Sequence, residues 1–374
     1  SFGALVHMFA NGDLDKLHAG ASDREWLLFH ATDIPGEGKP LPADLQRVVS
    51  HTHLMGQKGV AILRTPPGGQ QQACLLRFGP VLNHGHYDDL NINYVGAGYE
   101  VTYDLGYGDG ATHTQVGWAK QTASHNLVMV DETRQLNNEA DDTGGNLHVM
   151  ASMPGLQLVD VDANGVYASE GVSEYRRCVA LVGDGPETYL LDIFNVNGGL
   201  QHDYMAHSLS TDISFEGLTM GERAEGSVAG PEFNWGERQT SDGYLSGVPR
   251  QNYWNPPPGN GLGFLMHPRS ANVDGPWSAT WRLPDGNSFL RLSMLPEAGT
   301  QVINAWAPGI YPNHPKAEHI IARRKSDAPL RSTFIGIREP YGRTSPEVGG
   351  IQGSELIGVA STDDGIIKYI GGYG

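Results

Sequence analysis

The chain has 374 residues, which exceeds the size at which a single hydrophobic core usually stops growing, so two structural units are plausible. Charged residues make up only 18%, with 50 glycines and 23 prolines, and this composition favours short strands joined by turns over long charged helices. The formal net charge of −17 argues against a nucleic-acid binder, and an acidic polymer would need a locally basic cleft or a metal. No run of 18 apolar residues is present, so the sequence predicts no membrane span.

The N-terminal part of the chain is predicted to be helical. Residues 1 to about 31 place apolar side chains at helical spacing, and Ser22 with Glu25 three residues later has the pattern of a capping box. Residues 33–45 are rich in proline and glycine and are predicted to form a linker. No signal peptide is visible, and the chain begins at Ser1 rather than Met, which indicates a processed product or a fragment.

After Lys58 the sequence is a succession of short segments rich in β-branched and aromatic residues and bounded by turn residues. No helical pattern separates them, which favours a mainly β fold built as a large antiparallel β-sandwich. We place this sandwich at residues 46–297 and a smaller C-terminal sheet at residues 298–374. Cys74 and Cys178 lie in apolar runs, which favours buried free thiols over a disulfide.

Two histidines, His84 and His86, stand one residue apart. On an extended strand their side chains would project to the same face. A hairpin predicted at residues 96–98 could bring Asp104 back beside them, and His125 precedes the next clear strand. Two imidazoles and one carboxylate are a common zinc ligand set. A hydrogen-bonded histidine pair and a turn-capping aspartate are the alternatives on residue patterns alone.

A family resemblance rests on two phrases of the sequence. "NHGHYDDLNINYVGAGYEVTYDLGYG" and "WAKQTASHNLVMVDETRQ" resemble the heparinase II/III-like polysaccharide lyases, and the second phrase is most similar to alginate and oligoalginate lyases. The resemblance is specific over residues 80–135 and looser to about residue 210. It implies an N-terminal (α/α) toroid followed by a β-supersandwich, so residues 1–45 would be the helical tail of the toroid plus a linker.

The resemblance also implies roles for residues of this chain. His86, Asp104 and His125 would bind a zinc ion that organises the cleft rather than attacks the substrate. His84 would face the cleft as a catalytic residue that neutralises the uronate carboxylate or shuttles a proton.

Two further residues are candidate substrate contacts, Tyr87 and Arg177. Tyr87 directly follows the histidine pair. Arg177 is adjacent to Arg176, so the two face opposite sides of a strand, and a cross-strand ion pair is the alternative for either arginine.

The implied activity is β-elimination on a uronic-acid polysaccharide such as alginate. A base removes the C5 proton, an acid protonates the departing C4 oxygen, and a cationic or polar group neutralises the carboxylate. Asp109 lies where alginate-active relatives tend to have a basic residue, so a heparin- or chondroitin-like glycosaminoglycan is an alternative substrate. A non-catalytic carbohydrate-binding sandwich is the alternative function.

The catalytic tyrosine of such lyases comes from the toroid, and no tyrosine precedes Tyr87. We therefore expect activity to require a toroid domain or a companion chain. The resemblance implies a periplasmic or secreted protein, and the sequence leaves open whether two copies form a homodimer.

Overall fold

Antiparallel strands make up about half of the described residues. The structure, a computed structural model, describes residues 50–67, 71–80, 85–106, 115–136, 144–237, 255–309, 316–342, 359–361 and 367–369. The predicted helices within residues 1–31 and the linker at residues 33–45 lie outside these ranges. No helix within them is long and apolar enough to span a membrane.

The described strands are numbered in chain order. They are His53–Met55 (β1), Val60–Arg64 (β2), Ala73–Arg77 (β3), Ile92–Gly96 (β4), Tyr99–Thr102 (β5), Val128–Val130 (β6), Leu147–Met153 (β7), Leu156–Asp162 (β8), Glu174–Val182 (β9), Tyr189–Asn197 (β10), Gln201–His207 (β11), Ile213–Glu216 (β12), Met266–Asn272 (β13), Trp277–Arg282 (β14), Ser288–Met294 (β15), Gln301–Pro308 (β16), Lys316–Lys325 (β17), Arg331–Gly342 (β18), Val359–Ser361 (β19) and Ile367–Tyr369 (β20). Short helical turns lie at Gly56–Lys58, Gln115–Ala119, Thr122–Ser124, Asn164–Glu170 and Leu262–Phe264.

Three large sheets form the body of the part of the chain that the structure describes. The first is a meander in the order β1-β2-β3-β4-β5, and the largest has the order β12-β14-β15-β18-β10-β9-β8-β7. The third has the order β13-β16-β17-β11-β6, and β19 and β20 form a separate two-stranded sheet. Strands β2 and β3 alternate half-buried and buried residues, which is the period-two pattern of a sheet with one face on a core.

A single apolar cluster contains residues from all three large sheets, which confirms the predicted sandwich. Its fully buried members include Leu63, Tyr94, Phe194, Tyr204 and Leu292. A second cluster covers the other face of the third sheet around Trp118, Met129, Met205, Phe264 and Ile321. Both clusters bury large side chains, and such burial is the main source of stability for a sandwich.

The predicted division at residues 297 and 298 is corrected by the strand pairing. Strands β16 and β17 complete the third sheet beside β13 and β11, and β18 pairs with both β15 and β10 in the middle of the largest sheet. Residues Thr52–Gly374 group as one unit. The turn-rich stretch near residue 297 is therefore a loop within the sandwich, and among the described residues only β19 and β20 form a separate C-terminal sheet.

The two cysteines are buried and free, as expected from their apolar surroundings. Burial raises the pKa of the thiols of Cys74 and Cys178 to about 12. Both are inert packing residues at neutral pH.

The hairpin that carries the chain toward Asp104 has a two-residue turn. Ala97 and Gly98 both have positive φ values, of 50° and 80°, and Gly96 is paired with Tyr99 across the turn. Two central residues with positive φ match the right-handed twist of the strands they join. The predicted hairpin is therefore confirmed, and β5 ends two residues before Asp104.

Candidate metal centre

Three of the predicted site residues converge at one end of the first sheet. His86 lies in the loop between β3 and β4, Asp104 follows β5, and His125 lies between a short helical turn and β6. The Nδ1 atom of His86 is 3.1 Å from His125 Nε2, and Asp104 Oδ2 is 3.3 Å from the former and 3.0 Å from the latter. One donor atom from each residue thus faces the other two.

These separations suit a metal ion. Nitrogen and oxygen ligands lie roughly 2.0–2.2 Å from zinc, so in a tetrahedral arrangement they lie a little more than 3 Å from one another. The His125 ring is buried and the side chain of Asp104 is about 20% exposed, so the cluster borders the surface. The ion would therefore be reached through the Asp104 side of the cluster.

The hydrogen bonds of His125 supply an independent argument for a cation. Its Nδ1 lies 2.8 Å from the carbonyl oxygen of Gln121, so this nitrogen must bear the proton that is donated to the carbonyl. In a neutral His125 ring, Nε2 then carries a lone pair, and this lone pair faces both the Asp104 carboxylate and Nδ1 of His86. A single proton on the His86 ring cannot satisfy both contacts of Nε2. A cation bound by the three atoms satisfies all of them, and a carbonyl partner on the outer nitrogen is typical of metal-binding histidines.

The charges of the cluster agree with this interpretation. Burial would raise the pKa of Asp104, but the adjacent imidazoles, His125 foremost, hold it well below its usual range. Burial would lower the pKa of His125, but Asp104 raises it, so without a metal Asp104 favours a proton on this ring that a bound metal ion would displace. Asp104 is therefore an anionic carboxylate, as a metal ligand must be.

Of the histidine and tyrosine motif, the structure describes His86 and Tyr87. His86 lies in a loop rather than on the strand considered from the sequence, and His84 lies outside the described residues. Tyr87 is half-buried directly beside His86, and the cationic groups of Lys120 and Arg134 approach its ring. These two basic residues were missed at the sequence level, although both lie in the phrase that showed the family resemblance.

The structure corrects the expectation that Arg177 contacts substrate. Its side chain is fully buried and forms a two-point ion pair with Asp192 on the neighbouring strand, at 2.8 and 2.7 Å. A guanidinium with no exposed surface cannot reach a polysaccharide. The cross-strand ion pair considered as the alternative is therefore the one observed.

Arg177 instead anchors the two loops that hold the histidines. Its Nη1 donates to the carbonyl oxygens of Leu90 and Asn126, which follow His86 and His125 in the chain. Leu90 has a φ of 67°, a conformation that non-glycine residues rarely adopt, and this contact helps to hold it. A buried arginine of the largest sheet thus fixes the positions of two candidate ligands.

A second group of hydrogen bonds joins the segments around Asp104 and His125. The Asn126 side chain accepts the backbone N–H of His207, and the ring of His207 donates to the carbonyl oxygen of Tyr103. The backbone N–H of Asn126 donates to the side chain of Asn91. His207 thus has a structural role beneath the candidate centre, where its hydrogen bonds join the segments that hold Asp104 and His125.

The residues of the candidate centre lie within a segment of the chain that matches a known protein family. Residues 49–247 match the family model described as heparinase II/III-like, C-terminal. An exo-oligoalginate lyase of Saccharophagus degradans is 23% identical over 327 residues, which cover 82% of this chain and 41% of the relative.

Solved structures of lyases share the fold. A heparinase III gene product is similar with a TM-score of 0.53 and 16% identity, over 86% of this chain and 39% of that one. The heparan sulfate lyase HepC of Pedobacter heparinus has a TM-score of 0.52 and 14% identity, over 86% of this chain and 40% of that one. At these identities the likeness shows the fold, and the chain spans about two fifths of the length of these relatives.

Proposed function

The chain belongs to the heparinase II/III-like family, whose model matches more than half of it, and on this premise we propose that it is the β-sandwich portion of a polysaccharide lyase. Its substrate is a uronic-acid polysaccharide such as alginate, cleaved by β-elimination. The observation that supports this most is the convergence of His86, Asp104 and His125 next to the half-buried ring of Tyr87. The similarity to an exo-oligoalginate lyase supports the choice of substrate.

In this proposal the metal centre is structural. A zinc ion bound by His86, Asp104 and His125 would supply a rigid cross-link between the three segments that hold these residues. The buried contacts of Arg177 and His207 already bring the same segments together. The chain thereby presents a fixed wall to the substrate, with Tyr87 on it.

The chemistry requires three functions around one uronate residue. The carboxylate must be neutralised, because negative charge spreads onto it when the C5 proton leaves. We assign this function to His84, two residues before His86. A base takes the C5 proton and an acid protonates the C4 oxygen as the C4–O bond breaks, leaving a C4=C5 double bond.

The base and the acid are proposed to lie on a toroid domain or a companion chain. Tyr103 is the tyrosine next to Asp104, but it is only 1% exposed, and burial raises its pKa. It is therefore unsuited to proton transfer with a polysaccharide. Because a polymer of this kind must be cut where it is encountered, we place the protein in the periplasm or outside the cell.

The role of His84 is tested with the full-length protein. We expect His84→Ala to lower the rate of unsaturated uronate formation by about 10²–10³-fold, the usual loss when one stabilising donor is removed, with zinc content unchanged. His148→Ala is the control, because His148 lies on β7 and contacts Asp162 instead of the candidate centre.

Three other outcomes would change the proposal. An unchanged rate for His84→Ala would show that another group neutralises the carboxylate. Turnover of a glycosaminoglycan but not of alginate would change the substrate, and binding without any turnover would favour a carbohydrate-binding sandwich.

A further inference from the structure

Two cationic side chains approach the ring of Tyr87. The Nζ atom of Lys120 is 5.2 Å from the ring centroid, and Cζ of Arg134 is 4.7 Å from it. Contacts of this length orient a cation on an aromatic ring. Because both distances are measured to the same ring centre, the two positive charges lie within about 10 Å of each other.

Neither cation is neutralised by a carboxylate within the ranges that the structure describes. The nearby Arg77, in contrast, pairs with both Asp88 and Asp89. Two cations at one ring that lack a carboxylate partner among the described residues contrast with the net charge of −17 of the whole chain. Like charges held together cost free energy, and that cost falls when an anion binds to both.

Hydrogen bonds hold together the segments that surround the ring of Tyr87. The backbone N–H of Tyr87 donates to the carbonyl oxygen of Lys120, and the hydroxyl of Thr122 donates to the carbonyl oxygen of Tyr87. The same hydroxyl accepts the backbone N–H of Gln135, the residue after Arg134. The segments that hold the ring and both cations are thus joined through buried hydrogen bonds at Thr122 and Gln135.

The residues around the Tyr87 ring lie close in sequence to the candidate metal ligands. Tyr87 follows His86 directly, and Thr122 lies three residues before His125. Tyr87 and Lys120 are half-buried and Arg134 is exposed, so a ligand in solution can reach the cations. An anion bound there would lie alongside the cleft that the proposed reaction uses.

We propose that Lys120 and Arg134, oriented by Tyr87, form a carboxylate-binding subsite for a uronate residue of the substrate. This inference rests on the proposed function, because it names a subsite of the same cleft. The planar guanidinium can pair with both oxygens of a carboxylate, and the ammonium adds a point charge. These two cations explain how a chain of strongly negative net charge can bind an acidic polymer.

The test measures binding of an alginate oligosaccharide to the full-length protein by calorimetry. We expect Lys120→Gln and Arg134→Gln each to weaken binding by about ten-fold or more, and the double variant to weaken it further. A carboxyl-reduced, neutral oligosaccharide should bind the variants and the wild type alike. Lys120→Arg should keep most of the affinity, because the charge is retained.

Matched controls remove the same charge elsewhere. Lys325→Gln and Arg331→Gln change exposed residues at the end of β17 and the start of β18, and binding should stay at the wild-type level. The subsite is overturned if the double variant binds the acidic oligosaccharide as the wild type does. It is also overturned if the wild type does not bind, or if the controls weaken binding equally.

The test of the subsite and the test of the lyase activity can fail independently of each other. Binding that depends on Lys120 and Arg134 without unsaturated product supports the subsite while the lyase activity fails. Turnover with an unchanged KM in the double variant supports the lyase activity and overturns the subsite.

Discussion

Asp104→Asn is expected to remove zinc from the purified protein. Asp104 is the anionic member of the three candidate ligands, and its carboxylate faces both imidazole nitrogens at 3.0–3.3 Å. An amide keeps the shape but loses the charge that draws a divalent cation to the site. The affinity for zinc should fall by more than the roughly 10–100-fold that follows loss of a residue that only hydrogen-bonds to a metal ligand.

Elemental analysis of wild type and variant measures this directly. Asp274→Asn is the control, because Asp274 is exposed and lies outside the cluster. Chelation should lower the melting temperature of the wild type and of the control but not of Asp104→Asn, since a metal that binds the folded state stabilises it. Equal zinc in all three proteins would reject this ligand set.

Arg177→Met is expected to destabilise the sandwich by about 3–5 kcal/mol, as for other buried ion pairs that lose one partner. The change leaves Asp192 buried, with Arg338 and the hydroxyl of Tyr204 as its remaining partners. It also leaves the carbonyl oxygens of Leu90 and Asn126 without their donor. Denaturant unfolding measures the loss of free energy.

The neighbouring residue provides a matched control. Arg176 pairs with Asp160 on the partly exposed face of the same sheet, so Arg176→Met should cost no more than about 1 kcal/mol. Equal losses for the two variants would mean that the buried network does not hold the loops of the candidate centre.

The features predicted well from the sequence depend on local rules. The turn at Ala97 and Gly98 follows from a glycine-containing hairpin signal, and its position brings Asp104 back toward the histidines. The sandwich follows from many short strands without helical patterns. The convergence of His86 and His125 could be anticipated because the motifs that contain them resemble a known family.

The features predicted poorly depend on contacts between distant segments. Strand alternation indicated that Arg176 and Arg177 face opposite sides, but not which one faces the core. The glycine and proline near residue 297 mark a loop between β15 and β16, and only the pairing of β18 with β10 shows that no domain ends there. Lys120 and Arg134 lie 14 residues apart, and each approaches the ring of Tyr87, which belongs to a third segment.

The most direct test of the lyase proposal is the chemistry of the cut. The full-length protein is incubated with alginate in water enriched in heavy oxygen, and the products are analysed by mass spectrometry and ultraviolet absorbance. The proposal predicts a C4=C5 unsaturated uronate at each new non-reducing end and no oxygen taken up from water. One heavy oxygen atom incorporated per cut, without the unsaturated product, would show hydrolysis and contradict it.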